Sequence, residues 1–70
     1  MSKFAERLRE LRTAGNYTQE NLGEILGVKK YSIYTYEKGR SEPTIDGLIA
    51  LADFFDVSID YLVGRTDRRR

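Results

Sequence analysis

The chain of 70 residues contains no cysteine and no histidine. The absence of cysteine excludes disulfides, thiolate zinc sites and a cysteine nucleophile. The absence of histidine removes the commonest general base and the commonest transition-metal ligand. Carboxylate chemistry remains formally possible for an enzyme. We therefore expect no metal, no cofactor and no catalytic residue.

Long apolar runs are missing as well. No run approaches the ~20 residues that span a bilayer, and residues 1–7 are charged where a signal peptide would be apolar. We therefore expect a cytoplasmic protein without membrane contact. With 33% charged and 40% hydrophobic residues, the composition is typical of one small folded domain.

Charge is unevenly distributed, although the net charge is only +1. Residues 29–40 contain four basic side chains against one acidic, residues 41–60 contain five acidic and no basic, and residues 61–70 are basic again. This polarity suits a molecule that presents one face to a polyanion. Chance variation over short segments explains the same counts about as well when they are taken alone.

Apolar residues recur at helical spacing between glycines and the single proline, which predicts five helices and no sheet. Residues 3–14 form the first predicted helix, and Gly15 is its expected stop. Thr18, Thr44 and Ser58 are expected to cap the second, fourth and fifth helices. The third is predicted to begin near residue 29 and to end at residue 39. Alternation over residues 31–36 resembles a strand, but a lone strand would have no partner.

The apolar stripes predict a core, with Arg7, Arg9 and Glu10 turned to water. The residues predicted on these stripes are Phe4, Leu8, Leu11, Leu22, Ile25, Leu26, Ile33, Tyr36, Ile45, Leu48, Ile49, Ala52, Phe55, Ile59, Leu62 and Val63.

Residues 19–38 meet the steric requirements of a helix-turn-helix, in which two helices cross over a short turn. Gly23 permits close approach of the two backbones, and Gly27 can adopt the left-handed conformation that the turn needs. Val28 is expected at the contact between the two helices. An ordinary helical hairpin explains the same pattern less specifically.

Seven stretches, covering nearly the whole chain, follow the order and spacing of a known family: 4–12, 17–22, 26–28, 36–40, 41–44, 48–55 and 57–64. With these stretches the chain resembles a lambda-repressor/Cro-type (XRE family) helix-turn-helix DNA-binding domain. The resemblance implies an all-α, compact five-helix domain over residues 1–66, followed by a basic C-terminal tail at 67–70. It also implies a bacterial or phage-encoded, nucleoid-associated transcriptional regulator, specifically a repressor.

The resemblance implies that the third helix enters the major groove of double-stranded DNA. Bases would be contacted by Lys30, Tyr31, Tyr34 and Thr35. Phosphates would be contacted by Thr18, Gln19, Lys29, Lys38, Arg40 and Ser41. Solvated or partly buried surface positions are the alternative for each of these side chains. Two departures from the family bear on this prediction: lysine replaces a capping serine or threonine at 29, and tyrosines replace small polar residues.

The resemblance also implies a structural salt bridge between Arg12 and Glu37, which would hold the third helix. It implies a homodimer on a pseudo-palindromic operator, weak without DNA, in which the fifth helix and the preceding loop form the contact. The predicted interface residues are Val57, Ser58, Ile59, Tyr61, Leu62 and Val63. A separate effector or antagonist protein is a further expected partner class.

Two other functions compete with DNA regulation. The same fold serves as a protein-interaction module, such as an antitoxin or anti-repressor, but such a derivative is expected to lose the basic residues at 29–40. An enzyme would need carboxylates and a metal, and Asp53 with Asp56 fits a helix end better. RNA is disfavoured because its A-form major groove does not admit a helix.

Overall fold

The computed structural model describes residues 3–70, and in that range it contains five helices and no strand. The helices are α1 (Lys3–Ala14), α2 (Gln19–Leu26), α3 (Lys30–Glu37), α4 (Ile45–Phe55) and α5 (Ile59–Leu62). The predicted all-α class is therefore confirmed. Residues 1 and 2, which the predicted domain includes, lie outside the described part. Within 3–70 no helix is both long and apolar enough to cross a membrane.

Side-chain caps set three of the helix starts, as predicted. The Thr18 hydroxyl accepts a hydrogen bond from the Asn21 amide at 2.9 Å, and the Asn21 side chain accepts one from the Thr18 amide. Thr44 and Ser58 accept equivalent bonds at the starts of α4 and α5. Each of these bonds satisfies an amide that the first turn leaves free.

The end of α1 differs from the prediction in its detail. The left-handed residue is Asn16, with φ of 63°, rather than Gly15. Gly15 makes room for a neighbouring side chain: a Cβ there would lie 2.7 Å from a ring carbon of Tyr17, so that ring would have to shift. Gly27, with φ of 74°, takes the predicted left-handed conformation after α2.

The core forms where α1, α2, α3, α4 and α5 meet. Its buried hydrophobic residues are Phe4, Ala5, Leu8, Leu11, Leu22, Ile33, Leu51, Ala52, Val57, Tyr61 and Leu62. Leu26, Tyr36, Leu48, Phe54 and Phe55 pack partly buried against it.

Five apolar residues that are predicted in the hydrophobic core are instead exposed to solvent. Ile25, Val28, Ile45, Ile49 and Ile59 are all exposed, and Ile45 is 75% exposed. The helices are short, and each buries a single narrow stripe of its surface. An apolar residue one position off that stripe therefore stays in water.

The prediction for Arg7 is also wrong, because this residue is 7% exposed. Its guanidinium donates from Nη1 to the carbonyl oxygens of Tyr61 (2.5 Å) and Thr66 (2.6 Å), and from Nη2 to Asp67 Oδ1 (2.6 Å). It also lies 4.0 Å from the centroid of the Tyr61 ring. Carbonyl oxygens and a ring face thus replace the water that the charge would otherwise need.

The segment after α5 lies against the helices. The Ser58 amide donates to the carbonyl oxygen of Arg69 at 2.6 Å, Arg70 pairs with Asp56, and Asp67 accepts from Arg7. The division between a domain and a tail at residue 66 stays a prediction, but residues 67–70 contact the helical part.

Candidate nucleic-acid interface

The helix-turn-helix depends on a close approach at Gly23. A Cβ at this position would lie 2.7 Å from the carbonyl oxygen of Val28 and 3.3 Å from the Lys30 amide nitrogen. The Gly23 carbonyl accepts a hydrogen bond from the Val28 amide at 2.9 Å. Glycine is required because the obstructing atoms are backbone, which cannot rotate away. The predicted packing role of Gly23 agrees with this geometry.

The outward face of α3 presents two lysines and two tyrosines. Lys30, Tyr31 and Lys38 are exposed and Tyr34 is half-buried, while Ile33 is fully buried against the core. The Tyr31 and Tyr34 rings stack with centroids 6.1 Å apart and planes at 29°. Lys38 Nζ lies 5.7 Å from the centroid of Tyr34. Predicted base-contacting and phosphate-contacting residues therefore share this face.

Arg12 and Glu37 form a bidentate ion pair behind that face. Arg12 donates from Nε to Glu37 Oε2 at 2.6 Å and from Nη2 to Oε1 at 3.0 Å. Arg12 Nη1 also donates to the carbonyl oxygen of Tyr17. The two side chains are only 13% and 6% exposed. The hydrogen bond with Glu37 raises the pKa of Arg12 above its already high usual value, although burial acts in the opposite direction.

Glu37 also fixes the orientation of Gln19. The Gln19 Nε2 group donates to Glu37 Oε1 at 3.2 Å, which joins the first residue of α2 to the last residue of α3. The second hydrogen of that amide stays available to an external acceptor. The buried pair with Arg12 thereby holds a surface donor at the start of α2.

Two shallow clefts bring the predicted contact residues together. A cleft of about 200 Å³ is lined by Arg9, Arg12, Gln19, Tyr34, Glu37 and Lys38. A second, of about 480 Å³, is lined by Arg12, Tyr17, Thr18, Gln19, Glu20 and Lys30. Gln19 borders both. Among residues 3–70 no three acidic side chains are grouped closely enough to hold a metal ion.

Thr35 does not occupy the position expected for a base contact. It is 9% exposed, and its hydroxyl donates to the Ser32 carbonyl oxygen at 2.9 Å and lies 2.7 Å from Ser41 Oγ. The Thr35 carbonyl accepts from the Arg40 amide. Thr35 lies on the side of α3 that faces the following loop, and its hydrogen bonds with Arg40 and Ser41 connect that loop to the helix. Arg40 and Ser41 themselves remain exposed.

The start of α3 lacks a side-chain cap. Lys29 is the N-cap residue and makes no capping hydrogen bond with its side chain, in agreement with the expectation for lysine. Its carbonyl still accepts from the Ser32 amide at 2.9 Å. The first amides of α3 are therefore free to meet an anion or water.

One cationic side chain beside these clefts is not among the contact residues predicted from the sequence. Arg9 lines the cleft beside Gln19 and Lys38, whereas helical spacing had assigned it only to water. The signal that could have found it is its position three residues before Arg12 on the same face of α1.

A helix-turn-helix family model matches residues 8–62, which is most of the chain and includes the whole of α2 and α3. The chain belongs to the XRE family of helix-turn-helix proteins. The chain is also similar to a solved structure, a transcriptional regulator from Listeria innocua, with a TM-score of 0.86 and 36% identity. The match covers 91% of this chain and 60% of that chain.

Curated relatives of this XRE-family chain are similar over most of its length. It is 44% identical to the HTH-type transcriptional regulator YobD of Bacillus subtilis over 91% of the chain and 57% of the relative. It is 40% identical to the cryptic phage CTXphi transcriptional repressor RstR of Vibrio cholerae over 90% of the chain and 56% of the relative. It is 41% identical to the HTH-type transcriptional activator BcrR of Enterococcus faecalis over 87% of the chain and 30% of that relative. The chain thus spans between about a third and somewhat more than half of these relatives.

Half of the interface predicted for an XRE-family dimer is inside the monomer. Val57, Tyr61 and Leu62 are at most 8% exposed and belong to the core, because α5 is only four residues long and must cover α1. The Ser58 hydroxyl caps α5. Ile59 and Val63 retain accessible surface, so they are the apolar residues of the predicted set that a second copy can reach.

Proposed function

We propose that this chain binds double-stranded DNA sequence-specifically and regulates transcription as a repressor. In this proposal α3 enters the major groove, where Lys30, Tyr31 and Tyr34 contact bases. Phosphates are contacted by Thr18, Gln19, Lys29, Lys38, Arg40 and Ser41. Thr35 is left out because its side chain is buried. The chain acts through binding and not through catalysis.

One observation carries the proposal: the start of α2 and the outward face of α3 border the same clefts. Glu37 holds Gln19 there through a hydrogen bond. Gln19 is the first residue of α2, and at this N-terminal end the free amides and the helix dipole favour an anion. A duplex that accepts α3 in its major groove brings a phosphate to a helix start beside it. The arrangement therefore provides both a groove-filling helix and a phosphate anchor.

Charge supports the same orientation. The basic residues Lys29, Lys30, Lys38 and Arg40 lie on or beside α3, and all four are exposed. Residues 41–60, which include α4, carry five acidic side chains and no basic one. A polyanion is attracted to the first region and repelled by the second.

A dimer on a pseudo-palindromic operator completes the proposal. One recognition helix covers few base pairs, and two copies placed about one helical turn apart, ~34 Å, double the recognised sequence. The accessible apolar residues left on the predicted interface, Ile59 and Val63, offer little area. The dimer is therefore expected to form on DNA. Sedimentation that shows a tight dimer at sub-micromolar concentration without DNA would contradict this part.

The function is tested by selecting binding sites from a random duplex library and measuring affinity by fluorescence anisotropy. The selected duplex is expected to bind about 10³-fold or more tightly than a scrambled duplex at physiological salt. Equal and steeply salt-dependent binding to every duplex would overturn sequence specificity. Transcription in vitro from a promoter that overlaps the selected site is expected to fall; a rise would mean activation.

A pair of charge variants locates the interface. Lys38→Gln removes a proposed phosphate contact, whereas Arg65→Gln removes one positive charge from a side chain that is 78% exposed beyond α5. Lys38→Gln is expected to weaken binding to all sequences and to reduce the salt slope by about 1. Arg65→Gln is expected to change neither quantity measurably. Equal effects would mean that net charge, and not the α3 face, governs binding.

A protein-interaction role is the second candidate, and the surface of α4 favours it. Ile45 and Ile49 are 75% and 42% exposed and are one helical turn apart on the same face. If the chain acts through a protein partner bound at this surface, Ile45→Ser with Ile49→Ser is expected to leave DNA affinity unchanged and to abolish a regulatory effect in cells. A DNA-binding regulator without a partner is expected to keep that effect.

A further inference from the structure

The centre of the outward face of α3 is an aromatic stack. Tyr31 is 68% exposed, its ring stacks on that of Tyr34, and Lys38 Nζ approaches Tyr34. The spacing i, i+3 and i+7 places these three side chains in one row along the helix. Buried Ile33 marks the opposite side. The row is therefore the part of α3 that first meets the floor of a groove.

The composition of α3 limits how this row can recognise a base. The helix α3 contains no asparagine, glutamine or arginine, and its one lysine, Lys30, is its first residue. Side chains of these four types make paired hydrogen bonds to a single base. Glu37 is engaged by Arg12, and the Thr35 hydroxyl is engaged inside the domain. The helix thus lacks the usual two-point readers along its centre.

What remains at the centre is two phenol rings, which are apolar except for their hydroxyl groups. The Tyr31 ring lies beside that of Tyr34, with centroids 6.1 Å apart, and most of the surface of Tyr31 is exposed. In the major groove the one apolar group that a standard base pair presents is the 5-methyl of thymine. Contact between a ring and that methyl removes apolar surface from water on both sides.

Stacking also prepares Tyr31 for such a contact. A ring that already rests on a neighbour loses less rotational freedom on binding than an unsupported one. The positions better placed for phosphates are the exposed cations Lys29 and Arg40, at the two ends of the helix. The middle of the row faces bases.

We propose that the Tyr31–Tyr34 stack recognises a pyrimidine 5-methyl group in the major groove, so that thymine and 5-methylcytosine are preferred over uracil and cytosine. This inference rests on the proposed function, since it requires α3 to enter the groove. It adds the chemical group that the central position selects.

The test uses the full chain and the duplex selected from the random library. Each thymine of that duplex is replaced in turn by uracil, which removes only the methyl group. Affinity is expected to fall about fourfold at one or two positions of each half-site, the value of one buried apolar carbon. At those positions a C·G pair is expected to bind weakly and a 5-methylcytosine·G pair more tightly.

Two variants at residue 31 connect the effect to the ring. Tyr31→Phe keeps the ring and is expected to retain the preference for thymine over uracil, whereas Tyr31→Ala is expected to lose it. Tyr36→Phe serves as the control, because Tyr36 packs edge-on to Phe4 in the interior of the domain. Circular dichroism of each variant verifies that it is folded.

The outcomes separate the two proposals. If no uracil replacement lowers the affinity, while the duplex is still bound specifically, methyl recognition is overturned and the proposed function is not. A Tyr31→Phe variant as weak as Tyr31→Ala would also overturn it, because the hydroxyl would then carry the contact. Failure to select any duplex would overturn the proposed function and this inference with it.

Discussion

The first helix carries two buried arginines that hold opposite regions of the molecule by different chemistry. Arg12 holds α3 through Glu37, a carboxylate whose side chain is 6% exposed. Arg7 holds the segment after α5 through two carbonyl oxygens, and its carboxylate partner Asp67 is 94% exposed. The same residue type on the same helix thus relies on a buried counter-ion in one region and on backbone dipoles in the other.

The difference teaches which contacts matter for each region. A buried charge that loses its only counter-ion is left uncompensated, and the cost is large. A charge surrounded by carbonyl oxygens and an aromatic face tolerates the loss of an exposed carboxylate, because water and the remaining acceptors replace it. The position of α3 should therefore depend on Glu37 far more than the position of the C-terminal segment depends on Asp67.

The largest effect is expected for Glu37→Gln. This change leaves Arg12 without a counter-ion and is expected to lower the free energy of unfolding by about 3–5 kcal/mol. The whole domain is expected to have about 3.5–10 kcal/mol, so the variant approaches the unfolding threshold. Urea denaturation followed by circular dichroism at low temperature measures the loss. A change below about 1 kcal/mol would show that the pair behaves as an exposed salt bridge.

The control for that variant replaces both partners. Arg12→Met combined with Glu37→Met removes the charge together with its counter-ion, and apolar replacements of buried pairs are often close to neutral. The double variant is expected to be more stable than Glu37→Gln alone. If it is less stable, the hydrogen bonds from Arg12 to Tyr17 and from Gln19 to Glu37 contribute more than the charge pair.

The next effect is expected for Arg7→Met. It leaves the Tyr61 and Thr66 carbonyl oxygens without their donor and is expected to cost about 2–4 kcal/mol. The released segment contains Arg65, Arg68 and Arg69, so trypsin should cleave it faster than in the unchanged chain. Arg7→Lys is expected to recover little, since a lysine cannot donate as a planar fork. Unchanged proteolysis would contradict the role assigned to Arg7.

A smaller effect of opposite sign is expected for Lys29→Ser. A serine hydroxyl at residue 29 can accept from the Tyr31 amide in the uncapped first turn of α3 and is expected to add about 1 kcal/mol. Thr44→Ala, which removes an existing cap from α4, is expected to lose about as much. Thermal melts of the two variants should therefore shift in opposite directions. A shift of the same sign in both would mean that α3 has another cap.

The smallest effect is expected for Asp67→Asn. Its carboxylate is exposed, so the stability should change by no more than about 1 kcal/mol. Compared with Glu37→Gln under identical conditions, this variant tests the contrast between the two arginines directly. Similar losses in both would remove the contrast.

Local features were the most predictable part of the fold. Thr18, Thr44 and Ser58 cap helices as expected, because capping needs only a short polar side chain beside the first free amides. Gly23 and Gly27 behave as expected because backbone approach and a positive φ both exclude most side chains. Such constraints act over a few residues and are visible in the sequence.

The errors share a different origin. Arg7 was assigned to water and Thr35 to a base, and both are buried by contacts with residues elsewhere in the chain: Arg7 with the segment after α5, Thr35 with Ser41 in the loop after α3. Ile45 was assigned to the core and is exposed. Periodicity gives the stripe of a helix but not its rotation against neighbours, so residues at the edge of a stripe can fall on either side.

The sequence alone determined five helices, three of their caps and the turn between α2 and α3, since these follow from local sterics and residue spacing. The resemblance of the sequence to a known family indicated the helix-turn-helix family. The tertiary structure decided which polar side chains meet. It placed Gln19, Arg12 and Glu37 in one hydrogen-bonded chain, stacked Tyr31 on Tyr34, and buried Arg7 beneath the C-terminal segment. Those contacts depend on how helices distant in sequence are oriented, because a hydrogen bond or a stacked pair forms only within a few ångströms.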